Sequence, residues 1–282
     1  MATGKDRQRQ LAREHYERQM ERRAQRQAKA RRKAIIGSAL GTVVVIGAAT
    51  TLVVILHGEG GSTSASASAA PSAAPSAAAA PKPYDTATGT CGYVTDSTGK
   101  VKNVGLPPAK ANTGPRVMTV KTNLGSIKID LDGAKAPCTV NSFAYLAKKN
   151  YFDDTRCHRL VTEGLHVLQC GDPLAKGDGK NPSDGQGGPG YRIADENLGG
   201  VPYKRGVVAM ANSGPNTNGS QFFIIYGDDT KALPPNYTPF GTVTKGIDIV
   251  DKVAKAGVQG GGTDGTPKMA VDVKDVTITS KS

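Results

Sequence analysis

The sequence predicts a mainly β protein: an antiparallel barrel, closed or nearly so, capped by two α-helices and preceded by one transmembrane helix. Three observations carry this: an uncharged run of 23 residues from Ala34 to Leu56, a series of short alternating segments from Arg116 onward, and two helical patterns set near the ends of that series. Many strands with helices confined to the ends indicate a barrel rather than the strand–helix alternation of a parallel α/β fold. The 35 Gly and 17 Pro among 282 residues fit a loop-rich fold, while 38% hydrophobic content argues against disorder throughout.

Residues 1–33 hold 12 of the 36 Lys and Arg and 4 of the 24 Asp and Glu, a net charge of +8 out of the chain's +12. The remaining chain is near neutral, so its folded part lacks the basic face expected of a nucleic-acid binder. The tail is rich in helix formers with too few apolar residues for a core. It reads as a solvated juxtamembrane helix attracted to anionic membrane lipids.

Ala34–Leu56 would span roughly 35 Å as a helix, enough to cross a bilayer. It exceeds the roughly 7–15 apolar residues of a cleaved signal peptide, which favours an uncleaved signal anchor. Arg31, Arg32 and Lys33 abut it on one side, while Lys82 is the first basic residue beyond it. The positive-inside rule therefore puts the N-terminus in the cytoplasm and the rest outside. Residues 57–83 read as a linker, because 23 of the 26 residues from Gly58 to Pro83 are Gly, Ala, Ser or Pro. Residues 84–115 form an extension expected to pack on the barrel, which occupies 116–282.

In the barrel region Ile127, Ile129 and Leu131 alternate with Lys128, Asp130 and Asp132, the mark of a half-buried strand. Thr139 is placed to N-cap a helix whose face carries Val140, Phe143, Ala144 and Ala147 and which ends near 148–150. Strands are expected at Val207–Ala211, Gln221–Tyr226, Phe240–Val243 and Val271–Thr279, with a second helix at Ile247–Ala256.

Three segments carry chemistry: His158-Arg159-Leu160, the run from Val167 to Asp172, and the run MANSGPNTNGSQFF from Met210 to Phe223. In these the chain resembles the cyclophilin family of peptidyl-prolyl cis/trans isomerases over about Val117–Ser280. The resemblance implies an eight-stranded antiparallel barrel with two helices and an outer peptide groove. It implies no metal or cofactor.

Isomerising an X-Pro bond means crossing a barrier of about 18–20 kcal/mol set by amide resonance, so a site needs to bind the twisted amide better than the planar one. Arg159 fits a donor to the prolyl nitrogen, since a guanidinium is permanently charged and rigidly forked. By resemblance Arg159 is the catalytic arginine and Gln169 its groove partner. Phe223 resembles the proline-pocket floor and Leu233 its wall. Ala211, Asn212 and Ser213 resemble the edge that bonds an extended peptide, with Gln221 beside them.

Departures from the family pattern lie around the pocket. Cys157 precedes His158-Arg159 where Phe is familiar, and the stretch from Arg159 to Gln169 is two residues longer. His166 and Val167 stand where the family usually has pocket Phe and Met, and Tyr237 where it frequently has a pocket His, so the resemblance implies that all three line the substrate groove. Ala232 replaces a Trp linked to tight cyclosporin binding, which implies weak binding of that ligand.

All four Cys, at 91, 138, 157 and 170, follow the apolar run, in a compartment that permits disulfides. Cys157 and Cys170 flank the hairpin carrying Arg159 and Gln169, which favours that pair and leaves Cys91 with Cys138. Other connectivities and free thiols stay open. His15, His57, His158 and His166 lack metal-ligand spacing with Cys, and no Gly-x-Ser-x-Gly turn is present. The expected function is prolyl isomerisation in exported or cell-surface proteins; the rival is a proline-peptide-binding module or holdase without turnover.

Overall fold

A computed structural model describes residues 79–199, 202–228 and 233–281. The basic tail, Ala34–Leu56 and most of the linker lie outside them, as does Ala232. Among the described residues no helix is long and apolar enough to cross a membrane.

Four short strands come first: β1 (Lys82–Asp85), β2 (Thr90–Gly92), β3 (Val94–Thr95) and β4 (Lys100–Val101). They are followed by β5 (Arg116–Thr122), β6 (Gly125–Leu131), helix α1 (Pro137–Lys148), β7 (Thr155–Arg156), β8 (Arg159–Glu163) and β9 (Leu165–Cys170). Next are β10 (Gly187–Gly188), β11 (Tyr191–Arg192), β12 (Val207–Met210), β13 (Phe222–Ile225) and β14 (Pro239–Lys245). Helix α2 (Ile247–Ala256), β15 (Asp264–Gly265) and β16 (Asp272–Ser280) complete the order.

The fold is mainly β, with one curled sheet of ten strands in the order β15-β8-β9-β13-β12-β14-β6-β5-β16-β7. A closed barrel of eight strands was expected; here the strand order is linear, and its end strands β15 and β7 are not paired with each other. One segment is split in two: Cys157 N–H donates to Val271 O at 3.0 Å, while the next residue, His158, donates to Gln169 O at 3.1 Å. Residues 155–163 therefore leave β16 and join β9 within two residues. The short β15 adds a further strand outside β8.

Alternation sets the core. Met118, Val120, Ile127, Ile129, Leu131, Leu168 and Ile224 point to one face, where Phe143 of α1 packs against Phe240 with ring centroids 4.7 Å apart. β12 and β13 are buried on both faces, which is why VVAM and FFII read as unbroken apolar runs. Their second face forms a separate cluster of Val161, Val167, Val207, Ala209, Phe223 and Ile225.

Helix α1 starts two residues before the expected cap. Pro137 occupies its first turn, Ala136 is the N-cap, and no local side chain caps it. The Glu196 carboxylate does so from a distance, accepting from Cys138 N at 3.0 Å and from Thr139 N and Oγ1 at 2.8 Å each. Thr139 is thus a partner of the cap, and its alignment with the helix N-terminus suits an anion.

The segment before β5 is paired with later strands. β3 pairs with β11 and β4 with β10, and the Cys91–Cys138 disulfide ties it to α1. β1 takes in Lys82 and Pro83, which composition groups with the linker, because Lys82 is paired with Gly92.

Candidate active site

The site is a row across the sheet. Arg159 lies directly opposite Gln169, Gln169 opposite Phe223, and Phe223 opposite Ala209. Directly opposed residues share a face and interact. A permanent cation, an amide and an aromatic ring therefore stand side by side on the outer face, with Arg159 and Phe223 about two strand spacings, or roughly 10 Å, apart.

Polar bonds along this row have only one consistent direction. Arg159 can only donate, so Nη1 meets Gln169 Oε1, at 3.3 Å. Gln169 Nε2 then donates to Gln221 Oε1 at 2.9 Å, and Gln221 Nε2 donates to the carbonyls of Gly185 at 3.0 Å and Gly187 at 2.8 Å. Gly187 belongs to β10, so the docked extension is hydrogen-bonded to the strand that anchors this chain of amides.

The guanidinium is also held by Asp264, Nε to Oδ1 at 2.7 Å and Nη2 to Oδ2 at 2.8 Å. That carboxylate raises an already high arginine pKa, through the hydrogen bonds first. The Arg159 side chain remains 38% exposed, so its face is open to a ligand.

Beside it lies an apolar floor. Phe223 is 6% exposed and meets the Tyr237 ring edge-on at 5.5 Å. Leu233, Ala211, Tyr237 and Tyr203 pack on the same cluster, and Tyr203 Oη donates to Tyr237 O at 2.7 Å. Val167, two residues from Gln169, is part of this floor.

His166 is not brought to the row. Strand parity puts it on the face opposite Val167 and Gln169, and its ring meets Tyr226 at 5.4 Å. The groove role expected for it is therefore corrected: the alternation of β9 sends consecutive residues to opposite faces. Ala211 N–H is already donated to Gln221 O at 2.9 Å, so that group belongs to the sheet rather than to a free edge. Asn212 Nδ2 donates to Asn236 O at 2.8 Å, and Ser213, which is exposed, donates its N–H to Thr217 Oγ1 at 2.9 Å. The rest of that loop is structural: Asn218 Nδ2 bonds Asp195 Oδ1 at 2.7 Å, and Asn216 and Asp195 exchange two more bonds.

Cys157 and Cys170 are joined, bracing the strands that carry Arg159 and Gln169. Gly171 follows with φ +89°, and a Cβ there would lie 2.3 Å from Ser220 O, so only glycine lets β9 leave the row this close to the loop before β13. Sequence reasoning missed Asp264, Tyr203 and Val161. Val161 was readable as the residue two on from Arg159; Asp264 sits in GGGTDGT and Tyr203 in a loop, and neither has a local signal.

The model of the family described as cyclophilin type peptidyl-prolyl cis-trans isomerase/CLD matches residues 117–280. The chain belongs to the cyclophilin family. It is 45% identical over 214 residues to a probable peptidyl-prolyl cis-trans isomerase B of Mycobacterium tuberculosis, covering 70% of this chain and 66% of that protein, just under two thirds of its length. Peptidyl-prolyl cis-trans isomerase-like 3 of Gallus gallus is 40% identical over 57% of this chain and 94% of its own. A crystal structure of a Cryptosporidium parvum cyclophilin type isomerase superposes with a TM-score of 0.51 at 28% identity, covering 60% of this cyclophilin and 99% of that chain. The same parasite protein in the presence of the dipeptide Ala-Pro gives 0.50 at 28% identity, over 58% and 99%.

Proposed function

We propose that this cyclophilin accelerates cis/trans interconversion of X-Pro bonds in extended segments of exported or cell-surface proteins. The observation that carries the reading is the row Arg159–Gln169–Phe223, which sets a fixed cationic donor beside an apolar floor. The proline ring rests on Phe223, walled by Leu233 and Tyr237. An N–H of Arg159 meets the prolyl nitrogen as its lone pair leaves conjugation, an interaction available only to the twisted amide. Gln169 orients the guanidinium and can bond the substrate backbone. The Ala-Pro dipeptide present with the Cryptosporidium relative supports a proline peptide as the occupant.

The location is part of the proposal. Ala34–Leu56 anchors the protein in the membrane, with the basic tail on the anionic cytoplasmic leaflet and the isomerase domain outside. The two disulfides support an oxidising compartment. Cyclosporin is expected to bind weakly.

The test is exchange of an X-Pro peptide by the purified full-length chain in detergent, without reductant, beside Arg159→Ala. Wild-type acceleration that falls on the order of a hundredfold in the variant, with peptide affinity kept, supports the enzyme. A folded wild type that binds the peptide and does not accelerate it leaves a binding module instead. Protease accessibility of the domain in intact cells tests the topology.

A further inference from the structure

The row explains how Gln169 meets one edge of the guanidinium, but the stronger hold comes from elsewhere. Asp264 takes Nε and Nη2 in a two-pronged contact at 2.7 and 2.8 Å, shorter than the 3.3 Å bond to Gln169. The carboxylate is delivered by backbone, not by chance of a long side chain. β15 pairs Asp264 with Val161 and Gly265 with Leu160, and Thr162 N–H donates to Thr263 O at 2.8 Å. Val161 is two residues from Arg159, so Asp264 projects from the face on which Arg159 stands.

We propose that Asp264 is a positioning residue that fixes the plane of the Arg159 guanidinium for isomerisation, an inference that rests on the donor role of Arg159. A guanidinium has five N–H groups. Asp264 takes one from Nε and one from Nη2, and Gln169 takes one from Nη1, which leaves a single N–H on each of Nη1 and Nη2. Those two define where an arriving prolyl amide is met. Without the carboxylate the long arginine side chain regains rotamer freedom, and donors that are not pre-aimed lose most of their effect on a transition state. The contact is of little use to folding, because both partners are substantially exposed, 38% and 44%, and exposed pairs add little stability.

The experiment measures kcat, KM and peptide affinity for the full-length chain, Asp264→Asn, Asp264→Glu, Arg159→Ala and the double variant Arg159→Ala/Asp264→Asn. Asparagine keeps the size and the backbone ladder but cannot accept two charge-assisted bonds. The expected result is a fall in kcat of about tenfold in Asp264→Asn, with affinity and unfolding midpoint near wild type and partial recovery in Asp264→Glu. The double variant should be no slower than Arg159→Ala, since the carboxylate acts only through the arginine. A kcat within twofold of wild type in Asp264→Asn overturns the proposal, as does an equal fall in the Arg159→Ala background. If Arg159→Ala itself stays fully active, the donor role fails and the proposal with it, an outcome distinct from an inert Asp264 beside an essential Arg159.

Discussion

Gln221 Oε1 accepts from Gln169 Nε2 at 2.9 Å, and this bond passes the geometry of the 185–187 loop to the arginine row. Replacing Gln221 by Leu leaves the Gly185 and Gly187 carbonyls without that donor and frees the Gln169 amide to turn. We expect turnover to fall about fivefold to tenfold, the equivalent of one net hydrogen bond of about 1 kcal/mol. Steady-state kinetics of the variant check it; unchanged turnover would show that Gln169 is held without Gln221.

Phe223 serves both packing and binding. Phe223→Ala removes the ring that meets Tyr237 edge-on, and we expect a stability loss of about 3 kcal/mol together with weaker binding of a proline peptide. Urea unfolding and peptide titration separate the two effects. Unaltered affinity in a variant that still folds would remove Phe223 from the pocket.

The two disulfides should divide their labour. Cys91–Cys138 closes 47 residues and Cys157–Cys170 closes 13. On loop entropy alone the first contributes about 4 kcal/mol and the second about 3 kcal/mol. The paired Ser variants at 91 and 138 are therefore expected to lose more stability. Those at 157 and 170 should lose more kcat, because that bridge lies between the strands bearing Arg159 and Gln169. Reversal of either order would separate the bracing role from the catalytic row.

His158 makes stability depend on pH. It is 5% exposed, neither ring nitrogen has a hydrogen-bond partner among the described residues, and burial holds its pKa below the ordinary 6.5 despite the nearby Asp172 and Asp184. As pH falls below 6.5 the unfolded chain takes up a proton that the folded chain refuses, so stability should decline on acidification until the folded value is reached. Urea midpoints between pH 7 and pH 5 should fall more steeply in the wild type than in His158→Phe. Parallel slopes would rule the histidine out as the cause.

Much of the curled sheet was legible because a strand's period of two writes its buried face into the sequence. Ile127, Ile129 and Leu131 were expected inside and are. The second helix was placed at its observed ends. The motif residues Arg159, Gln169 and Phe223 stand in one row, and of the cysteine connectivities left open the structure has the one favoured by the hairpin between Cys157 and Cys170. His166 was misplaced because counting along a motif ignores the parity of the strand that carries it.

By itself the sequence determined which segments could be strands or helices and which residue types could hold a proline and draw on its nitrogen. Those are local properties, set by periodicity, propensity and side-chain chemistry. Tertiary structure alone decided that Glu196 caps α1, that Gln221 steadies Gln169, and that Asp264 grips Arg159 from 105 residues away. Such pairings depend on which strands become neighbours and in what register. A carboxylate in a glycine-rich run carries no local mark of the arginine it will meet.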